Sequence, residues 1–256
     1  METVTSAQNP KIRNLLLLQE KSRARREQGL FVVEGRRELE HCIEGGFTVR
    51  TVFVCPEIAG EVSFPGDIIE IPERLYSKIA YRESTEGIIA EVEYKELRLN
   101  DLRLKENPLV VVLESVEKPG NIGAVLRSAD AAGADAVILC DPLTDLYNPN
   151  LIRASIGAVF TVPTVAATAA EAIAWLKERG ITILTAQLQD SAPYYDTDMK
   201  GGTALVMGTE SSGLSQEWRD AADAHIMIPM LGRLDSLNVS VSTAILLYEA
   251  VRQRSL

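Results

Sequence analysis

Residues 226–242 read IMIPMLGRLDSLNVSVS, and this stretch constrains the fold more than any other part of the chain. Its apolar start predicts a buried strand over Ile226–Pro229, and the pattern after its polar end predicts a helix over Val239–Arg254. One polar side chain is enough to cap a helix, but the segment before and inside the helix start offers several. They are Ser236, Asn238, Ser240 and Ser242. This excess indicates a polar cluster that binds a ligand.

A second polar segment follows the predicted strand Ala204–Met207. It reads GTESSG over residues 208–213 and places Glu210 between two glycines. The order of residues is not G-x-S-x-G, which argues against the nucleophile of a serine hydrolase. Glycines let the backbone approach a ligand closely while Glu210 supplies an acceptor. A solvated turn with a surface glutamate explains the pattern equally well.

A third segment joins the predicted strand Leu109–Leu113 to a helical pattern that contains Arg127. The intervening loop reads KPGNIG over residues 118–123, and we expect Asn121 to cap the helix and Arg127 to lie on its first two turns. Ligands of open parallel sheets bind outside the carboxyl ends of the strands, so this loop is a candidate site wall. The spacing is not G-x-G-x-x-G, which argues against a nucleotide-dependent oxidoreductase. Glycines that only shape a turn are the alternative.

The chain divides into two predicted α/β domains. From Pro108 onward, strand patterns alternate with helical patterns, which predicts a mostly parallel sheet with helices on both faces. The first half reads as a small α/β domain that begins with one or two helices over Ser6–Gln28. A highly charged stretch over Glu93–Asn107 marks the link. We therefore predict domains over residues 1–102 and 103–256.

Composition bounds the class of protein. Of the 256 residues, 46% are hydrophobic and 24% charged, and no apolar run approaches the roughly 18 residues of a membrane span. The first ten residues lack the basic start and apolar middle of a secretory signal. We expect a cytoplasmic protein with no membrane partner.

Cysteine and histidine are scarce, which limits the possible chemistry. The three cysteines are far apart, so they predict neither a disulfide framework nor a metal site, and we expect small core residues. Two histidines are too few for a usual zinc site. We predict that the protein holds no metal.

The formal net charge of −10 argues, by itself, against a polyanionic partner. Basic residues nevertheless concentrate near the start of the chain, and a local basic surface on an acidic protein can hold RNA. The candidate RNA-binding residues are Lys21, Arg23, Arg25, Arg26 and Arg36. A solvated helix surface explains the same charges equally well.

Taken together, the three polar segments resemble the three ordered motifs of the SpoU (TrmH-like) branch of the SPOUT methyltransferases. The matching residues are 121–129 (NIGAVLRSA), 207–215 (MGTESSGLS) and 228–240. Residues 9–12 and 21–35 resemble the small substrate-binding domain that many SpoU enzymes carry.

The resemblance implies a parallel-sheet domain with a deep trefoil knot, preceded by a small α/β RNA-binding domain. It implies S-adenosylmethionine as the methyl donor, with the adenine held by backbone groups around Gly208, Ile228 and Leu237. It also implies a homodimer.

The implied reaction is methylation of an RNA ribose 2′-hydroxyl. The family assigns activation of the hydroxyl to Arg127, but a guanidinium almost never loses its proton in proteins. We therefore expect Arg127 to pair with an RNA phosphate and orient the hydroxyl. Asn121 would order the first loop, Glu210 would fix loop and RNA, and Ser236 with Asn238 would hold the third loop against donor and ribose.

The choice of RNA rests on analogy with the family. The attached first domain favours ribosomal RNA, most simply the 23S type, and transfer RNA is the alternative. A non-catalytic RNA-binding or assembly protein is the rival from another functional class.

Overall fold

The computed structural model describes residues 2–81, 86–209 and 212–255. The chain forms two compact units, and the first of them contains two separate ranges, Met1–Lys95 and Asp145–Thr161. The second contains Glu96–Thr144 and Val162–Leu256. The charged stretch predicted a single domain boundary at residue 102, but the first unit also contains the later segment Asp145–Thr161. The roles assigned to the two domains stay predictions.

Strands and helices are numbered along the chain. The strands are β1 (Glu2–Thr3), β2 (Leu30–Glu34), β3 (Val49–Val54), β4 (Asp67–Glu70), β5 (Ile88–Glu93), β6 (Leu109–Glu114), β7 (Ala136–Cys140), β8 (Thr164–Ala167), β9 (Thr182–Ala186), β10 (Ala192–Pro193), β11 (Thr203–Met207) and β12 (Ala224–Met227). The helices are α1 (Pro10–Glu20), α2 (Ser22–Gln28), α3 (Arg36–Glu44), α4 (Pro56–Ala59), α5 (Glu73–Ile79), α6 (Pro119–Ala131), α7 (Pro149–Ser155), α8 (Ala158–Thr161), α9 (Ala169–Glu178), α10 (Gln216–Ala221) and α11 (Val239–Arg254).

The first unit is built on a mixed sheet of order β1-β4-β3-β5-β2, in which β5 runs antiparallel to both of its neighbours. Asn9 caps α1 by accepting a hydrogen bond from the Lys11 amide at 2.9 Å. α1 buries Ile12, Leu15 and Leu18, which recur about once per turn, in the core of the unit. The prediction of one or two helices over Ser6–Gln28 is confirmed, because α1 and α2 both lie in this range.

A buried ion pair ties the segment Asp145–Thr161 into the first unit. The Arg25 side chain is only 2% exposed, and its Nε lies 2.7 Å from Oδ2 of Asp145. Nη1 donates to the Leu18 carbonyl at 2.7 Å, and the Tyr94 hydroxyl donates to Asp145. The prediction that Arg25 contacts RNA is therefore wrong, because its guanidinium is buried and paired with Asp145.

An aromatic cluster completes the same core. Phe31 stacks on Tyr147 with ring centroids 4.2 Å apart, and Phe47, Tyr94 and Phe160 surround the pair. Burial raises the pKa of Tyr94 and of Tyr147, so both phenols stay neutral. Phe160 lies in α8 and packs into this cluster.

The second unit contains a seven-stranded sheet of order β10-β12-β9-β11-β6-β7-β8, and every neighbouring pair is parallel. The mostly parallel sheet predicted from the sequence is confirmed. β6, β7 and β11 are buried along their whole length, as their mostly apolar sequences require. The trefoil knot stays a prediction.

Four consecutive strands of this sheet, β12, β9, β11 and β6, end at the same level. Met207 at the end of β11 is opposite Leu113 on one side and Ala186 on the other, and Ala186 is also opposite Ile226. The loops that follow these strands therefore start at one edge of the sheet.

α6 and α11 pack against each other in the second unit. α6 begins at Pro119, earlier than predicted, with Lys118 at its N-cap position. Asn121 therefore lies inside the first turn and does not cap the helix, and Arg127 lies in the third turn. A proline at the first helical position explains the early start, because its φ is already helical.

Two further observations complete the fold. Cys42, Cys55 and Cys140 are all buried and free, as predicted for small core residues. Among the described helices, none has the length and apolar character that crossing a bilayer requires.

Replacing Arg25 by Ala should lower the free energy of unfolding by about 3–5 kcal/mol, because the Asp145 carboxylate would be left buried without its partner. Urea unfolding followed by circular dichroism measures this loss. The matched control is Arg26→Ala, since Arg26 is the exposed neighbour and should change stability by less than about 0.5 kcal/mol. Equal effects of the two substitutions would contradict a structural role for Arg25.

Candidate active site

A cavity of about 420 Å³ lies at the carboxyl ends of β9, β11 and β12 in the second unit. Its volume falls within the range of roughly 300–1,000 Å³ that small-molecule sites occupy. Gly208, Ile228 and Leu237, the three positions expected to hold the adenine, all line its wall, as does Ser236. Residues from two of the three sequence motifs therefore meet around one concave space.

Backbone contacts fix the motif that follows β11. A Cβ at Gly208 would lie 2.3 Å from the carbonyl carbon of Gly213, so only glycine fits there. Thr209 and Gly213 exchange two backbone hydrogen bonds of 3.2 and 3.0 Å, and Gly213 has a φ of +67°. Glu210 lies outside the described residues, as does Ser211.

The motif before α11 is both a cap and a cavity wall. Asn238 is the N-cap of α11 and accepts hydrogen bonds from the amide and the hydroxyl of Ser240 at 2.9 and 2.6 Å. Ser236 and Ser242 line the cavity, and the Ser236 hydroxyl donates to Asp235 at 3.3 Å. One pair of the polar cluster thus forms the cap, and the other two serines face the cavity.

The strand before this motif differs from its prediction. β12 begins at Ala224, two residues before the predicted start, and ends at Met227. Within it only Ile226 is buried, and Ile228 to Met230 are half-buried, outside the strand. Their position on the cavity wall explains why apolar residues continue beyond the strand.

A side-chain hydrogen bond joins the first and third motifs. The Asn238 amide nitrogen donates to Oδ1 of Asn121 at 3.1 Å, although the two residues are 117 positions apart in the chain. Arg127 is exposed on α6 and makes no hydrogen bond or ion pair with the described part of the chain. Its guanidinium is thus available to an external anion.

Glu114 lies at this edge of the sheet and was not among the predicted site residues. It ends β6, is buried, and its carboxylate accepts a hydrogen bond from the Ser215 amide at 2.8 Å. The contact links the strand of the first motif to the end of the second. The sequence contained a signal for this role, because an acidic residue ends a strand that is otherwise apolar.

Gln187 and Arg219 also line the cavity and were not among the predicted residues. Gln187 directly follows β9, and Arg219 lies on α10. Neither belongs to a recognisable motif, so no pattern in the sequence could have shown that they face the same space.

The remaining basic residues of the first unit lie on or near the surface. Lys21 and Arg23 are exposed and have acidic neighbours, Glu20 at 3.9 Å and Glu27 at 2.6 Å. Arg36 is half-buried and donates to the Ala59 carbonyl at 3.1 Å, and Arg26 is exposed. Exposed ion pairs are weak, so Lys21 and Arg23 remain free to exchange their partners for a phosphate.

The described residues contain no group of three or more histidine, cysteine or acidic side chains placed to hold a metal ion. Burial raises the pKa of Cys42 and of Cys140 to about 12, so both thiols are neutral at physiological pH and neither is a nucleophile.

Replacing Gly208 by Ala should lower the free energy of unfolding by about 1–3 kcal/mol, because the new methyl group overlaps the backbone of Gly213. Differential scanning calorimetry measures the change. Gly201→Ala is the matched control, since a Cβ at Gly201 meets nothing within 4 Å. An unchanged melting temperature for Gly208→Ala would show that the close approach of the two glycines is not required.

Family models match both parts of the chain. The SpoU rRNA Methylase family matches residues 108–248, and the MRM3-like substrate binding domain matches residues 9–90. The first of these ranges contains all three motifs and the cavity.

Individual proteins match over different lengths. The 23S rRNA (guanosine(2553)-2'-O)-methyltransferase RlmP of Bacillus subtilis is 29% identical over 97% of this chain and 98% of its own length. The structure of an AdoMet-bound rRNA methyltransferase from Sinorhizobium meliloti is 32% identical, with a TM-score of 0.90 over 98% of this chain and 97% of that one. A TrmH/SpoU tRNA modifying enzyme of A. aeolicus, 29% identical, covers 61% of this chain and 82% of its own, with a TM-score of 0.51. Because this family model covers more than half of the chain and contains all three motifs, this chain belongs to the SpoU rRNA methylase family.

Proposed function

We propose that this protein transfers the methyl group of S-adenosylmethionine to a ribose 2′-hydroxyl in ribosomal RNA. The observation that carries the proposal is the meeting of the second and third motif loops around a cavity of about 420 Å³ at one edge of the parallel sheet. The Asn121–Asn238 hydrogen bond joins the first motif to the third at this edge. The similarity to enzymes named as rRNA methyltransferases over nearly the whole chain supports it. Such a substrate places the reaction in the cytoplasm.

The cavity fits a ligand that combines an apolar body with polar ends. Ile226, Met230 and Leu246 contribute apolar surface, while Ser236 and Ser242 contribute hydroxyl groups. We assign the adenine of the donor to the backbone around Gly208, Ile228 and Leu237, a region where close packing of Gly208 fixes the loop. When bound, the donor supplies an electrophilic methyl group on a sulfonium.

The role of the protein in this reaction is to align the ribose hydroxyl with that methyl group. Arg127 would bind an RNA phosphate beside the target ribose, because it is exposed, keeps its charge and has no partner among the described residues. A phosphate oxygen or a water molecule would take the proton of the hydroxyl. The Asn121–Asn238 hydrogen bond would keep the first and third loops in register during this step.

Two further predicted residues complete the site. Glu210 would fix its loop and the RNA, and Ser236 would hold the third loop against the donor and the ribose from its place on the cavity wall.

The first unit would choose the RNA. Its match to a substrate binding domain supports this role, and Lys21, Arg23, Arg26 and Arg36 are the candidate phosphate contacts. Ribosomal RNA is favoured over transfer RNA because the rRNA methyltransferases match nearly all of this chain, whereas the tRNA modifying enzyme matches 61% of it.

We also propose that the protein is a homodimer with the knot expected of the family. Large apolar side chains next to and on α11 are exposed, which is unusual for a surface without a partner. They are Leu231, Leu234, Val241 and Tyr248.

The test is methyl transfer from labelled S-adenosylmethionine to ribosomal and transfer RNA from a strain that lacks this gene, followed by mapping of alkali-resistant positions. We expect one labelled nucleotide in ribosomal RNA. Arg127→Ala should lower the single-turnover rate at least about 100-fold, since the ribose would lose its alignment. Arg103→Ala is the control, because Arg103 is exposed in the same unit and does not line the cavity.

Two outcomes of this experiment would contradict the proposal, and a further variant tests what Arg127 contributes. Label in transfer RNA alone would show that transfer RNA, and not ribosomal RNA, is the substrate. Donor binding without transfer to either RNA would favour a non-catalytic role. A near-normal rate for Arg127→Lys would exclude any task that needs the planar guanidinium, because lysine keeps only the charge.

A further inference from the structure

Two buried polar atoms on the cavity wall have no hydrogen-bond partner in the described structure. They are Nε of Arg219 and Oε1 of Gln187. Nη1 of Arg219 is 3.5 Å from Oε1 of Gln189, and the Gln187 amide nitrogen donates to the Gln189 carbonyl at 2.8 Å. Each side chain is thus held at one end while a donor on Arg219 and an acceptor on Gln187 remain unsatisfied.

A buried polar atom without a hydrogen-bond partner destabilises the fold unless a ligand or a water molecule binds it. A buried donor or acceptor without a partner loses its hydration, and the loss is greater for a charged group. Native proteins keep few of them, and each one requires an explanation such as a catalytic role or a bound water molecule or ion. The pair therefore indicates a ligand that offers an acceptor to Arg219 and a donor to Gln187.

The position of Arg219 is fixed by its helix. Trp218, the preceding residue, is fully buried and anchors α10, and Ser215 caps that helix directly after the loop of the second motif. One terminal nitrogen of Arg219 lies 3.8 Å from the place that a Cβ at Gly213 would take. The guanidinium therefore lies beside the loop that forms the cavity wall.

An α-amino acid group has the required chemistry, since it carries a carboxylate and an ammonium on one carbon. Among the described residues that line the cavity, Arg219 is the only cation, and Asp235 is the only carboxylate. A single cation cannot neutralise a polyphosphate, whereas it matches one carboxylate through charge-assisted hydrogen bonds.

We infer that Arg219 binds the carboxylate of the donor's methionine end and that Gln187 accepts a hydrogen bond from its ammonium group. This inference rests on the proposed function and adds a specificity that the motifs do not contain. The cavity would select nucleosides that carry an amino-acid end over those that lack it.

Isothermal titration calorimetry of the full chain with two nucleosides tests this inference. S-adenosylhomocysteine carries the amino-acid end, and 5′-methylthioadenosine has the same thioether and nucleoside without it. Arg219→Gln should weaken binding of S-adenosylhomocysteine at least about tenfold, the loss of one charge-assisted hydrogen bond, and leave 5′-methylthioadenosine unchanged. Gln187→Leu should act in the same direction and more weakly, and Arg103→Gln should change neither affinity.

The two nucleosides also separate the possible failures. Unchanged affinities in Arg219→Gln, or an equal loss for both nucleosides, would overturn the inference and leave the proposed function intact. A wild-type chain that binds neither nucleoside would overturn the proposed function together with the inference. Should Arg219→Gln fail to fold, Gln187→Leu decides by the same comparison, and equal affinity for S-adenosylhomocysteine in that variant and the wild type would overturn the inference.

Discussion

The candidate site depends on one constraint, the parallel pairing of β11 with β6 and β9 in a register that ends the three strands at the same level. Parallel strands that end at one level must release their following loops at one edge of the sheet. This brings together segments that are about a hundred residues apart in the chain, as the Glu114–Ser215 and Asn121–Asn238 contacts show. The cavity, the cap of α11 and the helix that carries Arg127 are all formed by the segments that follow these strands.

The first unit depends on a different constraint, the burial of Arg25 with Asp145. Asp145, Tyr147 and Phe160 belong to a range that the chain reaches only after it has formed β6 and β7. The core of the first unit therefore requires residues from the later part of the sequence. A fragment that stopped at residue 102 would lack the partner of a buried guanidinium and two members of the aromatic cluster.

Local patterns were enough to predict what depends on local sequence. Apolar runs predicted β6 and β11, the polar excess before α11 identified a segment that lines the cavity, and the motifs placed Gly208, Ile228 and Leu237 together. What they could not show was pairing across the chain. The burial of Arg25 depends on Asp145, and the place of Gln187 beside β11 and β12 depends on strand order, which no periodicity encodes. The early start of α6 at Pro119 was readable from the sequence but was missed, because the loop glycine that follows suggested a turn.

We propose above all that one edge of the parallel sheet is the binding site of the methyl donor. A crystal structure of the full chain with S-adenosylhomocysteine tests this claim most directly. It should show the adenine against the backbone of Gly208, Ile228 and Leu237, inside the cavity that these residues line. A nucleoside bound away from the loops that follow β9, β11 and β12 would contradict the account.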